Sequence, residues 1–144
     1  MGTRREAREL ALQALYQLDV TGEGDPGRGL ALFWTHFEAP DDVRGFAREL
    51  VQGVGEHRER IDALVAESAE HWRLPRLSRV DLNLLRLATF ELLARPDIPA
   101  SVTINEAIEI ARRFGSEDSA AFVNGVLDHV AGVLGVKEKQ GSAG

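Results

Sequence analysis

The sequence predicts an all-α protein of about seven helices in one compact domain. Apolar residues recur at the three- and four-residue spacing of a helix along most of the chain. Clusters of glycine and proline separate these periodic stretches. No stretch of the sequence alternates polar and apolar residues as a half-buried strand does. A chain of 144 residues has the length of one domain with a sizeable core.

The first predicted helix, TRREARELALQALYQLDV, carries one apolar stripe. Thr3 and Glu6 form a capping-box pattern that satisfies free N–H groups of the first turn. Residues 21–28 contain three glycines and a proline and predict a loop. A short apolar helix within GLALFWTHFEAP follows and ends before Pro40. The stripe of the first helix consists of Ala7, Leu10, Ala11, Ala14, Leu15 and Leu18.

Residues 41–72 again show helical spacing. Gly53 and Gly55 interrupt the pattern, which therefore predicts either two helices or one bent helix. Pro75 breaks the chain after this stretch.

The next helix, VDLNLLRLATFELLA, is strongly apolar, and Ser78 and Asp81 are expected to cap its start. It stops before Pro96. Thr103 and Glu106 repeat the capping-box pattern and predict the start of the helix INEAIEIARRFG.

The last predicted helix follows Gly115, which we expect in the left-handed conformation that ends many helices. The segment SEDS supplies caps, and the helix runs to about Leu134. Asn124-Gly125 favours a hairpin turn, but the flanking apolar residues keep a period near 3.6 and favour a helix. Two interpretations of Gly125 stay open: a neighbouring helix approaches it closely, or it shapes an exposed surface beside Phe122.

The organisation along the chain is a helical domain over residues 1–136 and a disordered tail over residues 137–144. The net charge of −6 opposes general adhesion to nucleic acid, so any nucleic-acid-binding role requires a local basic patch. The chain has no cysteine, which excludes disulfides and thiolate metal sites. It has no secretory signal pattern and no membrane-spanning run, and we expect it in the cytoplasm.

Three arginines cluster at the start of the first helix. At 100° per residue Arg4, Arg5 and Arg8 share one arc of the helix. Cations at a helix N-terminus oppose the helix dipole, whereas a guanidinium suits a phosphate group well. The cluster is therefore either a solvated helix face or a landing site for an anion.

No catalytic constellation emerges from the sequence. His36, His57, His71 and His129 lack the spacing of metal ligands. Ser119 has no adjacent histidine or lysine that could activate it. We expect neither enzymatic activity nor a cofactor nor a metal site.

Two stretches, RREARELALQALYQLD and IPASVTINEAIEIARRFGSEDSAAFVNGVLD, resemble the NusB family of transcription antitermination factors. The stretch LSRVDLNLLRLATFEL is similar to the family more weakly, so the resemblance covers nearly the whole chain. It implies seven helices in two packed sub-bundles. It also implies binding of boxA-type single-stranded leader RNA together with ribosomal protein S10 (NusE). The complex then joins RNA polymerase and other Nus factors and promotes processive transcription of ribosomal RNA operons.

The resemblance also implies site residues in this chain. The chain departs from the family pattern at Ala120-Ala121, because the family often carries a lysine immediately before the phenylalanine. One phosphate contact is therefore missing here. Two further possibilities stay open: a module that binds S10 without touching RNA, and a homodimer that covers the arginines. The implied RNA contacts are Arg4, Arg5, Arg8, Arg86, Asp118 and Phe122, and the implied S10 contacts are Tyr16 and Asp81.

Overall fold

The computed structural model describes residues 3–69 and 74–136, and in these ranges it has seven α-helices, one short 3₁₀ turn and no strand. The predicted all-α class is confirmed. No helix in these two ranges is long and apolar enough to span a bilayer. His71, Trp72 and the predicted tail at 137–144 lie outside the described residues. The helices are α1 (Thr3–Thr21), α2 (Pro26–Trp34), α3 (Asp41–Glu56), α4 (Arg58–Ser68), α5 (Arg79–Ala94), α6 (Ala100–Phe114) and α7 (Ser119–Leu134), with the 3₁₀ turn at Leu74–Arg76 before α5.

Helix α5 forms the centre of the molecule. Every residue from Leu82 to Leu92 is buried, because α5 packs against α1 and α3 on one side and against α4, α6 and α7 on the other. Helix α2 completes the first group by packing on α1 and α3. The two predicted sub-bundles therefore share α5.

The apolar stripes read from the sequence are the buried faces of the helices. In α1, Ala7, Ala11, Ala14 and Leu15 are buried, while Leu10 and Leu18 are partly buried against the core. In α7 the buried face comprises Val123, Val126, Leu127, Val130 and Ala131. Burial of this apolar area is the main driving force for the fold.

The connection between α1 and α2 is shorter than predicted. Helix α1 continues to Thr21 and α2 begins at Pro26, so the loop spans only residues 22–25. Asp25 caps α2, since its Oδ1 accepts a hydrogen bond from the Gly27 N–H at 3.0 Å. Proline suits the first turn of a helix because its missing N–H needs no partner there.

The stretch 41–68 forms two helices, and the chain breaks at His57 rather than at the glycines. Gly53 lies inside α3, where an added Cβ would lie 2.2 Å from the ring of Phe90. Gly55 likewise faces Pro26 at close range. The glycines admit neighbouring side chains and do not end the helix.

Of the three capping predictions that the structure tests, one is confirmed and two are wrong. The segment SEDS provides no side-chain cap, since its Asp118 precedes α7 without a capping hydrogen bond. The Ser78 Oγ accepts a hydrogen bond from the Asp81 N–H at 3.0 Å, as expected. Helix α6, however, begins at Ala100, so Thr103 lies within it, and the Thr103 hydroxyl donates to Glu91 at 3.2 Å. The side chain of Thr3 lies outside the described part of the chain.

Gly115 does not adopt the predicted left-handed conformation, since its φ is −95°. An added Cβ would lie 2.4 Å from the Oγ of Ser119, so the position excludes a side chain for steric reasons. Asn124 and Gly125 lie within α7, which confirms the helix over the hairpin. Both are exposed and no atom lies within 4 Å of a Cβ built on Gly125, so of the two interpretations of Gly125 the close approach of a neighbouring helix is wrong.

Candidate nucleic-acid interface

Arg8 is part of the core rather than of the surface. Its residue exposure is 3%, and its Nε and one terminal nitrogen donate to the two carboxylate oxygens of Glu91 at 2.8 Å and 2.7 Å. Glu91 is equally buried and also accepts from Thr103. The positive charge of Arg8 and the negative charge of Glu91 lie next to each other, which offsets the cost of burying them. Arg8, Glu91 and Thr103 together link α1, α5 and α6.

Arg5 lies at the surface and pairs with Glu106 of α6. Its Nε and one terminal nitrogen bind both oxygens of the Glu106 carboxylate, the second at 2.9 Å. These hydrogen bonds lower the pKa of Glu106 below its ordinary value and raise that of Arg5. Both groups therefore stay charged at neutral pH.

Arg4 is exposed and lies against an aromatic ring. Its guanidinium carbon is 4.9 Å from the ring centroid of Phe46 on α3. Arg95 contacts the same ring at 5.4 Å and also binds Glu49 and Asp97. Its hydrogen bonds lower the pKa of Asp97 to about 2. A guanidinium on an aromatic face keeps its N–H edge free to donate.

A shallow groove of about 630 Å³ collects these groups between the start of α1 and the start of α6. Its walls combine guanidinium groups, two carboxylates and apolar surface. Such a mixture suits a ligand with both charged and apolar parts. The lining residues are Arg4, Arg5, Arg8, Asp97, Ile98, Pro99, Val102 and Glu106.

Two further arginines, Arg112 and Arg113, lie at the C-terminal end of α6, where a positive charge interacts favourably with the helix dipole. One terminal nitrogen of Arg113 binds both oxygens of Glu9 on α1, at 3.0 Å and 3.1 Å. Arg112 binds Glu109 one turn earlier, at 2.6 Å. The Arg113–Glu9 and Arg5–Glu106 pairs both connect α1 to α6.

Phe122 and Asp118 lie at the start of α7, just after the turn that follows α6. Phe122 is partly buried against the core, and Asp118 is exposed. The Asp118 carboxylate caps no N–H group of the helix. This segment lies at the end of α6 that carries Arg112 and Arg113.

Arg86 has a different environment from the other arginines. Its exposure is 5%, its Nε and one terminal nitrogen bind the Asp62 carboxylate at 2.8 Å and 3.1 Å, and Asn83 accepts from it at 3.3 Å. The nearby Asp19 follows Arg4 by fifteen residues, about 22 Å along α1. Arg86 therefore lies near the opposite end of α1.

An apolar groove of about 440 Å³ opens beside Tyr16, whose exposure is 43%. The rings of Phe33 and Phe37 stack in it with centroids 4.4 Å apart. Asp81 does not line this groove, although the preceding residue Val80 does, and the Oδ1 of Asp81 is buried without a hydrogen-bond partner among the described residues. The groove is lined by Leu12, Gln13, Tyr16, Gln17, Val20, Phe33, Phe37, Val80 and Phe114.

Comparison with known proteins decides the family. The sequence model of the NusB family matches residues 5–132. The chain is 49% identical to the transcription antitermination protein NusB of Geobacter sp. (strain M21) over 96% of its length and 100% of the relative. The chain belongs to the NusB family.

Solved structures agree with this assignment. T. maritima NusB is 39% identical, with a TM-score of 0.85 over 96% of each chain. A structure described as antitermination factors NusB and NusE in complex with dsRNA is 27% identical, with a TM-score of 0.80 over 92% of this chain and 98% of the other.

The structure does not bring all residues implied by the NusB resemblance together. Arg4 and Arg5 line one groove and Tyr16 lines another, while Asp81 follows Val80 of that second groove without lining it. Asp118 and Phe122 reach the surface together at the start of α7. Arg8 and Arg86 need correction, since each guanidinium is buried and engaged by carboxylates, which leaves it unavailable for direct contact with RNA.

Sequence reasoning missed Phe46 and Glu106 as parts of this NusB surface. Phe46 follows the apolar spacing of α3, which only indicates a core position. Glu106 matches a capping box, and its pairing with Arg5 bridges 101 positions. The excess of acidic residues is the one sequence signal that the arginines have partners.

Proposed function

We propose that the chain is a transcription antitermination factor that binds boxA-type single-stranded leader RNA together with ribosomal protein S10 (NusE). With RNA polymerase and other Nus factors it promotes processive transcription of ribosomal RNA operons in the cytoplasm. The proposal assigns it no catalytic step. The observation that carries it is the full-length likeness to NusB proteins, one of which is described in complex with NusE and dsRNA.

The arginine groove supports the RNA part of the proposal. Arg4 holds its guanidinium on Phe46 and forms no ion pair with the described residues, so its N–H groups are available to a phosphate. Arg5, beside it, is half-buried but reachable. Guanidinium groups bind phosphate through paired hydrogen bonds.

Phe122 supports the preference for a single strand. A partly exposed ring can stack on an unpaired base, a contact worth about 1–3 kcal/mol. Bases in a duplex are already stacked and cannot use it. The exposed Asn124 and Gly125 leave room beside the ring for a strand.

The Tyr16 groove supports the S10 part of the proposal. It is apolar and open, and exposed apolar patches of this kind mark protein contacts. The Tyr16 groove and the arginine groove share no lining residue, so S10 and RNA can bind at the same time.

Fluorescence anisotropy tests the proposal. A labelled single-stranded boxA RNA is titrated with the protein alone and with its S10 complex, and a scrambled strand and a boxA duplex serve as controls. We expect weak binding by the isolated protein and much tighter, boxA-selective binding by the complex. Equal affinity with and without S10, or for boxA and scrambled RNA, contradicts the proposal.

A double substitution distinguishes the protein-only alternative. Arg4→Ala with Arg5→Ala is expected to remove most RNA binding while helix content and S10 binding stay unchanged. If RNA binding persists and S10 binding falls instead, the chain is a module for protein contacts alone.

A further inference from the structure

The exposed arginines near the proposed RNA surface already have carboxylate partners, with Arg4 as the exception among those discussed above. Arg5 binds Glu106, Arg113 binds Glu9, and Arg112 binds Glu109. The free protein therefore presents nearly as many negative as positive charges there. A phosphate that approaches this surface meets an ion pair rather than an isolated cation.

Arg5 is the most strongly engaged of these groups. A guanidinium has five N–H donors, and Glu106 takes two of them in a bidentate pair. Glu9 and Glu109 act on the same group through longer-range attraction. Its side chain is nonetheless 39% exposed, against 24% for Glu106, so a ligand can reach the remaining donors of Arg5.

We propose that Glu106 is an internal competitor of RNA, a carboxylate that lowers the affinity of the protein for phosphate at Arg5. This inference rests on the proposed RNA-binding function. A phosphate on the free donors of Arg5 lies within several ångströms of the Glu106 carboxylate. The two like charges repel each other, and the repulsion is only partly screened at physiological salt.

Glu106 also orients Arg5, and this second role predicts the opposite effect on affinity. Glu106→Gln separates the two roles. The amide oxygen of glutamine still accepts a hydrogen bond from Arg5, so the orientation is kept, while the negative charge is lost. Removal of one like charge at this separation is expected to tighten RNA binding roughly three- to tenfold.

The experiment measures the affinity for single-stranded boxA RNA by fluorescence anisotropy, with the S10 complex of each variant at fixed salt. Glu67→Gln is the matched control, because Glu67 is exposed on α4 and the substitution changes the net charge equally. A cycle with Arg5→Ala then tests whether Glu106 acts through Arg5. Circular dichroism and thermal unfolding establish that each variant is folded.

The proposal predicts that Glu106→Gln tightens binding at least threefold, that Glu67→Gln changes it less than twofold, and that the gain disappears in the Arg5→Ala background. An unchanged affinity, a weakened one, or a gain that persists without Arg5 overturns it. If the wild-type complex does not distinguish boxA from scrambled RNA, the proposed function itself fails, and the inference falls with it.

Discussion

At the scale of single residues, the pair formed by Arg8 and Glu91 determines how the start of α1 is held. Both side chains are almost completely buried, and two hydrogen bonds join them. Burial of one such charge without its partner is costly, because protein interiors solvate ions poorly. Arg8, which the sequence predicts to lie on an exposed face of α1, thus helps to hold α1, α5 and α6 together.

Glu91→Ala is expected to lower the free energy of unfolding by about 3–5 kcal/mol, since Arg8 loses both hydrogen bonds of its closest partner and keeps only the Glu106 carboxylate, 3.8 Å away, to offset its buried charge. Urea denaturation measures the change. Glu67→Ala, at an exposed position of α4, provides the reference and should change stability by about 0.5 kcal/mol or less. A small effect of Glu91→Ala would show that Arg8 finds water or another partner.

Phe122 and Arg5 are expected to contribute to RNA affinity through different forces. Arg5→Ala removes a phosphate contact and should reduce the slope of log affinity against log salt by about 0.7. Phe122→Ala removes stacking, which releases few counterions, so it should weaken binding with little change in the slope. Anisotropy titrations at several salt concentrations measure both. A slope change in Phe122→Ala as large as that in Arg5→Ala contradicts the assignment.

The residue types at the start of α1 indicate an affinity for anionic groups, but they do not indicate which of the arginines are exposed. The arginine cluster was visible as a possible anion site, but burial separates Arg8 from Arg4 and Arg5. That separation depends on Glu91, which lies 83 positions away. Local sequence carries no information on such a partner, because the pairing arises only when α1 packs against α5.

At the scale of helices, Gly53 of α3 and Gly125 of α7 illustrate opposite environments. Gly125→Ala is expected to stabilise the protein by about 0.5–1 kcal/mol, because alanine favours a helix and the space is open. Gly53→Ala is expected to destabilise it by about 1–3 kcal/mol through a clash with Phe90. Thermal unfolding of the two variants checks both signs. Destabilisation by Gly125→Ala would place a neighbour where the structure has none.

The ion pair between α1 and α6 predicts a pH dependence. The pKa of Glu106 is lowered in the folded state from an ordinary 4.5, chiefly by its hydrogen bonds with Arg5. A lowered folded-state pKa contributes stability above the unfolded value, and this contribution is lost as the pH falls through the folded value. Glu106→Gln should therefore be less stable than wild type at pH 7, and the difference should shrink as the solution is made more acidic than pH 4.5. Urea midpoints across this range measure it, and a constant difference contradicts the pairing.

Helix positions followed from the sequence because apolar periodicity reflects burial directly. Helix ends were less predictable. The Thr103–Glu106 pattern has the form of a cap, yet α6 begins one turn earlier, at Ala100 after the N-cap residue Pro99. The side chains of Thr103 and Glu106 instead pair with residues of other helices. The break between α3 and α4 likewise falls at His57, beyond both glycines that interrupt the apolar pattern.

At the scale of the whole molecule, the arginine groove and the Tyr16 groove lie on different residues of the same helix, α1. One helix thereby carries a charged groove near its start, where we propose that RNA binds, and an apolar groove farther along, where we propose that S10 binds. The net charge of −6 weakens general attraction to polyanions. We therefore expect tight RNA binding only in the proposed complex with S10.

The central claim is that one RNA strand spans both the groove of Arg4 and Arg5, at the start of α6, and the ring of Phe122, which follows the other end of α6. Amide chemical-shift mapping of the isotope-labelled protein, on addition of single-stranded boxA RNA, tests it most directly. We predict that the largest shifts fall at residues 4–9 and 118–125, while residues around Tyr16 shift only when S10 is added. Shifts concentrated around Arg86 or Tyr16 on addition of RNA alone would contradict the claim.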